Sequence, residues 1–64
     1  MNLIINGEQK YVSSSTLKAL LQELDIKEES VIVEYKGTLY KAPYDDLQLH
    51  ENEHLEIIQF MGGG

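Results

Sequence analysis

Apolar residues along the chain fall into short groups separated by turn-forming ones, and the spacing inside each group predicts its element. Leu3-Ile4-Ile5 and Tyr11-Val12 flank Asn6-Gly7, and Asn-Gly supplies the positive φ angles of a two-residue type I′ turn. The chain is expected to open with a β-hairpin. A strict two-residue turn sets Glu8 and Lys10 across from Ile5 and Leu3, whereas a longer loop or a bulge would shift the register, so the pairing stays open. Leu17, Leu20, Leu21 and Leu24 then recur at i, i+3, i+4 and i+7, the stripe of an amphipathic helix, with Lys18, Gln22 and Glu23 facing water. Ser15 or Thr16 can cap its start. The end is less sharply marked, because Asp25 to Ser30 holds neither Gly nor Pro. Val31-Ile32-Val33-Glu34-Tyr35 is a strand by composition, and Lys36-Gly37 turns it toward the shorter Thr38-Leu39-Tyr40. Pro43-Tyr44-Asp45-Asp46-Leu47 is expected to form a short helical turn, with Pro at its first position and the acids at its positive end. Leu55 to Phe60 predicts a last strand, and Met61-Gly62-Gly63-Gly64 follows it.

The expected order is β, β, α, β, short β, short helical turn, β. One helix on one mixed sheet is the two-layer arrangement that buries a single apolar stripe. Short connections and right-handed crossovers favour the helix lying across one face, with the last strand parallel to the first. The predicted fold class is therefore α+β, a β-grasp with a mixed sheet of about four to five strands on one main helix. Residues 1–64 are expected to form one domain, with 61–64 as an exposed, flexible tail.

Composition narrows what such a domain can do. Sixty-four residues with 5 Lys+Arg against 11 Asp+Glu give a formal net charge of −6. All five basic residues are Lys, scattered singly. Nucleic acid is not an expected partner, because phosphate binding draws its affinity from clustered cations. A chain this short cannot easily fill its own core and also enclose a deep active-site cleft, so a stand-alone enzyme is not expected. With no Cys there are no disulfides, thiolate metal sites or cysteine nucleophiles. The start, Met1 to Gly7, has no basic stretch and only a three-residue apolar run. It resembles neither a signal peptide nor a membrane span, and the expected location is the cytoplasm.

Among candidate chemical groups, His50 and His54 with Glu51, Glu53 and Glu56 have a metal-ligand spacing only if helical, and they fall where a turn into the last strand is expected. No metal site is expected there. Asp45, Asp46, Glu51, Glu53 and Glu56 are read as a hydrated acidic surface able to steer the chain toward a basic partner. Tyr35, Tyr40 and Tyr44 are read as core or half-buried sheet residues. Phe60 and Met61, where the chain leaves the sheet, are the candidates to flank a docking surface. Beyond them, Gly62, Gly63 and Gly64 form an arm without side chains that reaches about 10 Å at ~3.3 to 3.6 Å per residue. Such an arm can thread a narrow channel and present its carboxylate unhindered. The contrary reading is a passive tail.

The opening strand into Asn6-Gly7, the run Thr16-Leu17-x-x-Leu20-Leu21-x-x-Leu24 and the closing Leu55-Glu56-Ile57-Ile58-Gln59-Phe60-Met61-Gly62-Gly63-Gly64 resemble the sulfur carrier family of thiamine biosynthesis, ThiS. The closing segment is the specific part. Glu51-Asn52-Glu53 stands where the family often has an Asp-Gly-Asp turn, and Asn52 is expected to take a left-handed conformation there. The resemblance implies that Gly64 carries the reacting carboxylate, on a tail of Gly62 and Gly63. It implies three partners: an ATP-using adenylating enzyme of the ubiquitin-activating type (ThiF-like), a persulfide sulfur donor, and a thiazole synthase (ThiG-like) that takes sulfur from a Gly64 thiocarboxylate. No cofactor bound permanently to this chain is implied, and the chain would be a protein cosubstrate. The neighbouring readings are a small subunit of molybdopterin synthase, an isopeptide-forming modifier in the manner of ubiquitin, and a passive β-grasp interaction module.

Overall fold

A computed structural model describes residues 1–44 and 47–60. β1 (Asn2–Ile5) and β2 (Glu8–Tyr11) form the opening hairpin. Asn6 and Gly7 have φ of 51° and 81°, so the turn is the two-residue one, and the register is the strict pairing of Leu3 with Lys10 and Ile5 with Glu8. Polar residues opposite buried ones are tolerated because β2 is an edge strand, exposed throughout its length. Lys10 and Glu8 pair with each other at 3.7 Å rather than with the core. A charged edge also discourages pairing with other chains.

Helix α1 (Leu17–Glu23) buries Leu17, Leu20 and Leu21, while Leu24 closes the stripe as the C-cap and packs partly against the core. Thr16 is the N-cap, its hydroxyl accepting from the Ala19 N–H at 3.2 Å. The helix ends without glycine because Asp25 takes the left-handed position itself, at φ 60°. Its N–H donates to Gln22 O at 3.0 Å and the Ile26 N–H to Leu21 O at 2.8 Å, the two-bond closure that satisfies terminal carbonyls. Glu23, expected to face water only, clamps the preceding loop: its carboxylate accepts from the Ser13 and Ser14 amides and the Ser14 hydroxyl. These bonds, that of the Ser14 side chain foremost, hold its pKa below the usual carboxylate range.

A 3-10 turn at Glu28–Ser30 leads into β3 (Val31–Tyr35), and Lys36-Gly37 makes a second turn with both φ values positive before β4 (Thr38–Tyr40). In the segment expected to be a helical turn, Pro43 sits in a bend, and Asp45 and Asp46 lie outside the described residues. Tyr44 is core, its hydroxyl donating to the carbonyls of Val31 at 3.0 Å and Tyr40 at 2.9 Å. β5 (His54–Gln59) starts one residue earlier than the apolar pattern suggests.

The five strands lie in the order β2-β1-β5-β3-β4, with β5 parallel to β1 and antiparallel to β3. This is the β-grasp arrangement expected from the element order. One face of the sheet packs on α1, and the core joins Leu17, Leu20 and Leu21 to Leu3, Ile5, Val31, Val33, Tyr35 and Leu55. The opposite face has no helix over it among the described residues.

Candidate functional site

Strand β5 sits in the middle of the sheet, bonded on both sides, and so delivers the chain's end from its most constrained part. Its ladder to β3 runs to Val31 opposite Gln59 and continues through the Phe60 N–H to Ser30 O at 3.2 Å. On the other side the Asn6 carboxamide lengthens the parallel pairing: its Oδ1 accepts from the Ile57 N–H at 2.7 Å and its Nδ2 donates to Ile57 O at 3.2 Å. Backbone pairing of β5 therefore includes Phe60. Met61, Gly62, Gly63 and Gly64 lie outside the described residues.

Alternation along β5 sends Leu55 and Ile57 toward the helix and Ile58 to the uncovered face, where it pairs with Ile32. Phe60 follows Ile58 at the same parity. Exposed large hydrophobics are Tyr11, Leu39, Ile58 and Phe60, at 76%, 63%, 47% and 38%. Register puts all four on that uncovered face: Tyr11 pairs with Asn2, Leu39 with Glu34, and each of those partners alternates with buried neighbours. Of the sequence-based docking candidates, Phe60 is thus exposed beside Ile58, which Ile32 faces across the ladder; on the same face Glu34 and Glu56 separate Leu39 from Ile58, and Tyr11, opposite Asn2, lies toward the other end of the sheet. The missed signal is the doublet Ile57-Ile58, since consecutive apolar residues in a strand must face opposite sides. At the foot of this face a hollow open to solvent is lined by Glu34, Lys36, His54 and Glu56, among others.

Tyr35 and Tyr44 are core residues and Tyr40 is half-buried, as expected, so none of the three builds the exposed patch. The histidines do not converge on a metal, and among the described residues there is no group of three or more His, Asp or Glu that could hold one. Asn52 has φ 66°, the left-handed turn that glycine would otherwise supply.

Glu53 departs from the hydrated role expected of it. Its Oε1 accepts from the Tyr35 hydroxyl at 2.6 Å and the His50 N–H at 2.8 Å, and its Oε2 lies 3.1 Å from Lys36 Nζ and 3.7 Å from His50 Nδ1. Burial works against its charge, but the bonds from Tyr35, His50 and Lys36 outweigh it and hold the carboxyl below its ordinary pKa. The same bond to Glu53 raises the Lys36 ammonium, and burial, then Glu53, raises the Tyr35 phenol. Glu51 is similarly lowered, by the Asn2 amide and side chain that it accepts from at 3.1 Å. The acids around 50–53 therefore fasten the loop before β5 to β1 and β3. No helix among the described residues is long and apolar enough to cross a membrane.

Comparison with known proteins converges on one family. The family model described as "ThiS family" matches residues 3–64. Over its full length the chain is 39% identical to a thiazole synthase of Paramagnetospirillum magneticum and 33% identical to one of Magnetococcus marinus. It spans only 20% of the length of those two relatives. Among solved structures, the thiamine biosynthesis protein ThiS of Geobacter metallireducens is similar over 100% of both chains, with a TM-score of 0.80 and 30% identity. A family match through the closing glycine segment, on a fold shared from end to end with a family member, settles the affiliation: the chain belongs to the ThiS family.

Proposed function

We propose that this chain carries sulfur for assembly of the thiazole ring of thiamine, with Gly64 as the point of attachment. The observation that carries the reading is the family match over residues 3–64, which runs through Gly62-Gly63-Gly64 on a matching β-grasp fold. An α-carboxyl with a pKa of ~3.3 to 3.7 is ionised at neutral pH and is a poor electrophile, so it must be activated. A ThiF-like enzyme would use ATP to convert the Gly64 carboxylate to an acyl-adenylate. Sulfur from a persulfide donor would then displace AMP and leave a thiocarboxylate. A ThiG-like thiazole synthase would accept that sulfur, and the two thiazole synthases that contain a segment similar to this chain support that choice of partner.

In this scheme the chain is a cosubstrate and ATP belongs to its partner. The fold supplies a rigid base and a recognition surface. Phe60 and Ile58, with Ile32 beside them, would rest on the adenylating enzyme, Met61 would extend that contact, and the excess negative charge would speed encounter with a basic partner surface. Glycines at 62 and 63 would let the arm follow a narrow channel.

Intact-mass spectrometry after incubation with ATP, a sulfur donor and the host's adenylating enzyme tests the proposal directly. The expected result is replacement of one oxygen by sulfur, absent from a variant lacking Gly64. No adenylate and no thiocarboxylate, with the enzyme active on another carrier, would overturn it. Transfer to a molybdopterin synthase large subunit and not to thiazole synthase would retain the carrier role and overturn the pathway.

A further inference from the structure

The Asn6-Gly7 turn has a chemistry of its own. A glycine nitrogen has no neighbouring side chain to shield it, so in an Asn-Gly pair it can attack the asparagine side-chain carbonyl. Here the Gly7 N–Asn6 Cγ bond would form and the Cγ–Nδ2 bond would break. Nδ2 would leave as ammonia, carrying the Gly7 amide proton. Water would then open either C–N bond of the succinimide, giving aspartate or isoaspartate at position 6. Both residues are exposed, and a Cβ built on Gly7 would meet nothing within 4 Å. Solvent and the turn's own backbone have free access.

The fold opposes this reactivity at one point. The Asn6 carboxamide is held across the ladder by Ile57, at 2.7 Å through its oxygen and 3.2 Å through its nitrogen, while the Asn6 N–H donates to Leu55 O at 2.9 Å. While β5 is seated, Cγ is pinned toward Ile57 rather than free to meet Gly7 N. We infer that Asn6 is a fold-gated deamidation site, protected by β5 and, once converted, loosening β5 in turn. In the aspartate product one oxygen still accepts from the Ile57 N–H. The other has lost its protons and faces the Ile57 carbonyl, acceptor against acceptor. Isoaspartate adds a backbone carbon to a two-residue turn that cannot lengthen without breaking the register of β1 and β2. Either product acts on the strand that leads to Phe60.

The test keeps the full chain at mildly alkaline pH, folded in one arm and in denaturant in the other, and follows amide-to-acid conversion by peptide mass. Asn2 and Asn52, followed by Leu3 and Glu53, are internal controls. In denaturant the acid is expected at position 6 well before positions 2 and 52, and in the folded chain at least about tenfold more slowly. Equal rates folded and unfolded, or no preference for position 6 in denaturant, would overturn the gating. For the consequence, Asn6→Asp is expected to speed hydrogen exchange of the amide at position 6, which donates to Leu55 O across the same ladder, by about tenfold or more relative to its intrinsic rate. Unchanged exchange would overturn it. If that variant does not fold, deamidated chains separated from aged wild type serve for the same measurement.

Discussion

At the scale of single residues, the most consequential group the sequence reading misjudged is Glu53. Sequence alone shows a carboxylate in an acidic stretch, and nothing in that stretch reveals that Tyr35 and Lys36, from another strand and its turn, arrive beside it. Glu53→Gln keeps the shape but replaces one acceptor oxygen with a donor. With Tyr35, His50 and Lys36 all donating to that carboxylate, the variant is expected to lose about 1.5 to 3 kcal/mol, the range for hydrogen bonds to charged groups. Chemical denaturation at neutral pH reads this loss. The pH dependence has a definite sign. Because the folded carboxyl is held below its unfolded value of ~4.3, its stabilisation is present above that value and fades as pH falls through the folded pKa. The gap between wild type and Glu53→Gln should therefore narrow on acidification below about pH 4. A gap that widens there, or is absent at neutral pH, would show that the bonds to Glu53 contribute nothing. Comparing the two chains cancels the similarly lowered Glu23 and Glu51.

At the scale of elements, α1 is a seven-residue helix, well short of the ~12 to 15 residues at which an isolated helix becomes even marginal in water. It exists because Thr16 and Asp25 close its ends and three leucines anchor it. Leu20 is fully buried, and truncating such a leucine to alanine costs about 2 to 5 kcal/mol. A single core in a chain under ~70 to 80 residues rarely supplies more than about 3 to 5 kcal/mol. Leu20→Ala is accordingly expected to leave much of the population unfolded at ambient temperature, read as lost far-ultraviolet circular dichroism. A cooperative transition close to that of wild type would contradict the packing described. The stripe that defines α1 was legible because it repeats, and so were both hairpins, because Asn6-Gly7 and Lys36-Gly37 mark turns that only a few residue types fill. The helix end was not legible, because Asp25 adopts a glycine conformation that its identity does not announce. Nor was the 3-10 turn at Glu28–Ser30, which carries no buried residue and hence no apolar period.

Among the described residues the fold is a sheet with a helix over one side, and that asymmetry connects fold to role. The helix shields one face, so apolar residues that β5 and its neighbours direct the other way stay partly or largely exposed. Order, chirality and the parallel pairing of β1 with β5 were legible from the succession of elements. The breadth of the uncovered face was not, because it depends on register across four strands and places Tyr11, Leu39, Ile58 and Phe60 on one side. An apolar surface beside the strand that feeds the tail is where a partner acting on Gly64 would rest. Ile58 is the discriminating position, being 47% exposed and outside the core. Ile58→Asp gives up the covered half of the side chain and sets a poor strand former in the central strand, so the denaturation midpoint should fall modestly and affinity is compared under conditions where both chains are folded. The residues whose truncation costs more than ~1 kcal/mol cluster at the centre of an interface, so affinity for the proposed adenylating enzyme should fall by about tenfold. Lys18→Gln, on the solvent side of α1, makes the same one-unit charge change away from that face and should leave affinity within about twofold, the difference owing to long-range charge alone. Equal losses for the two variants would mean that the apolar face does not govern recognition. Loss confined to Ile58→Asp would make the uncovered face the surface on which activation of the tail depends.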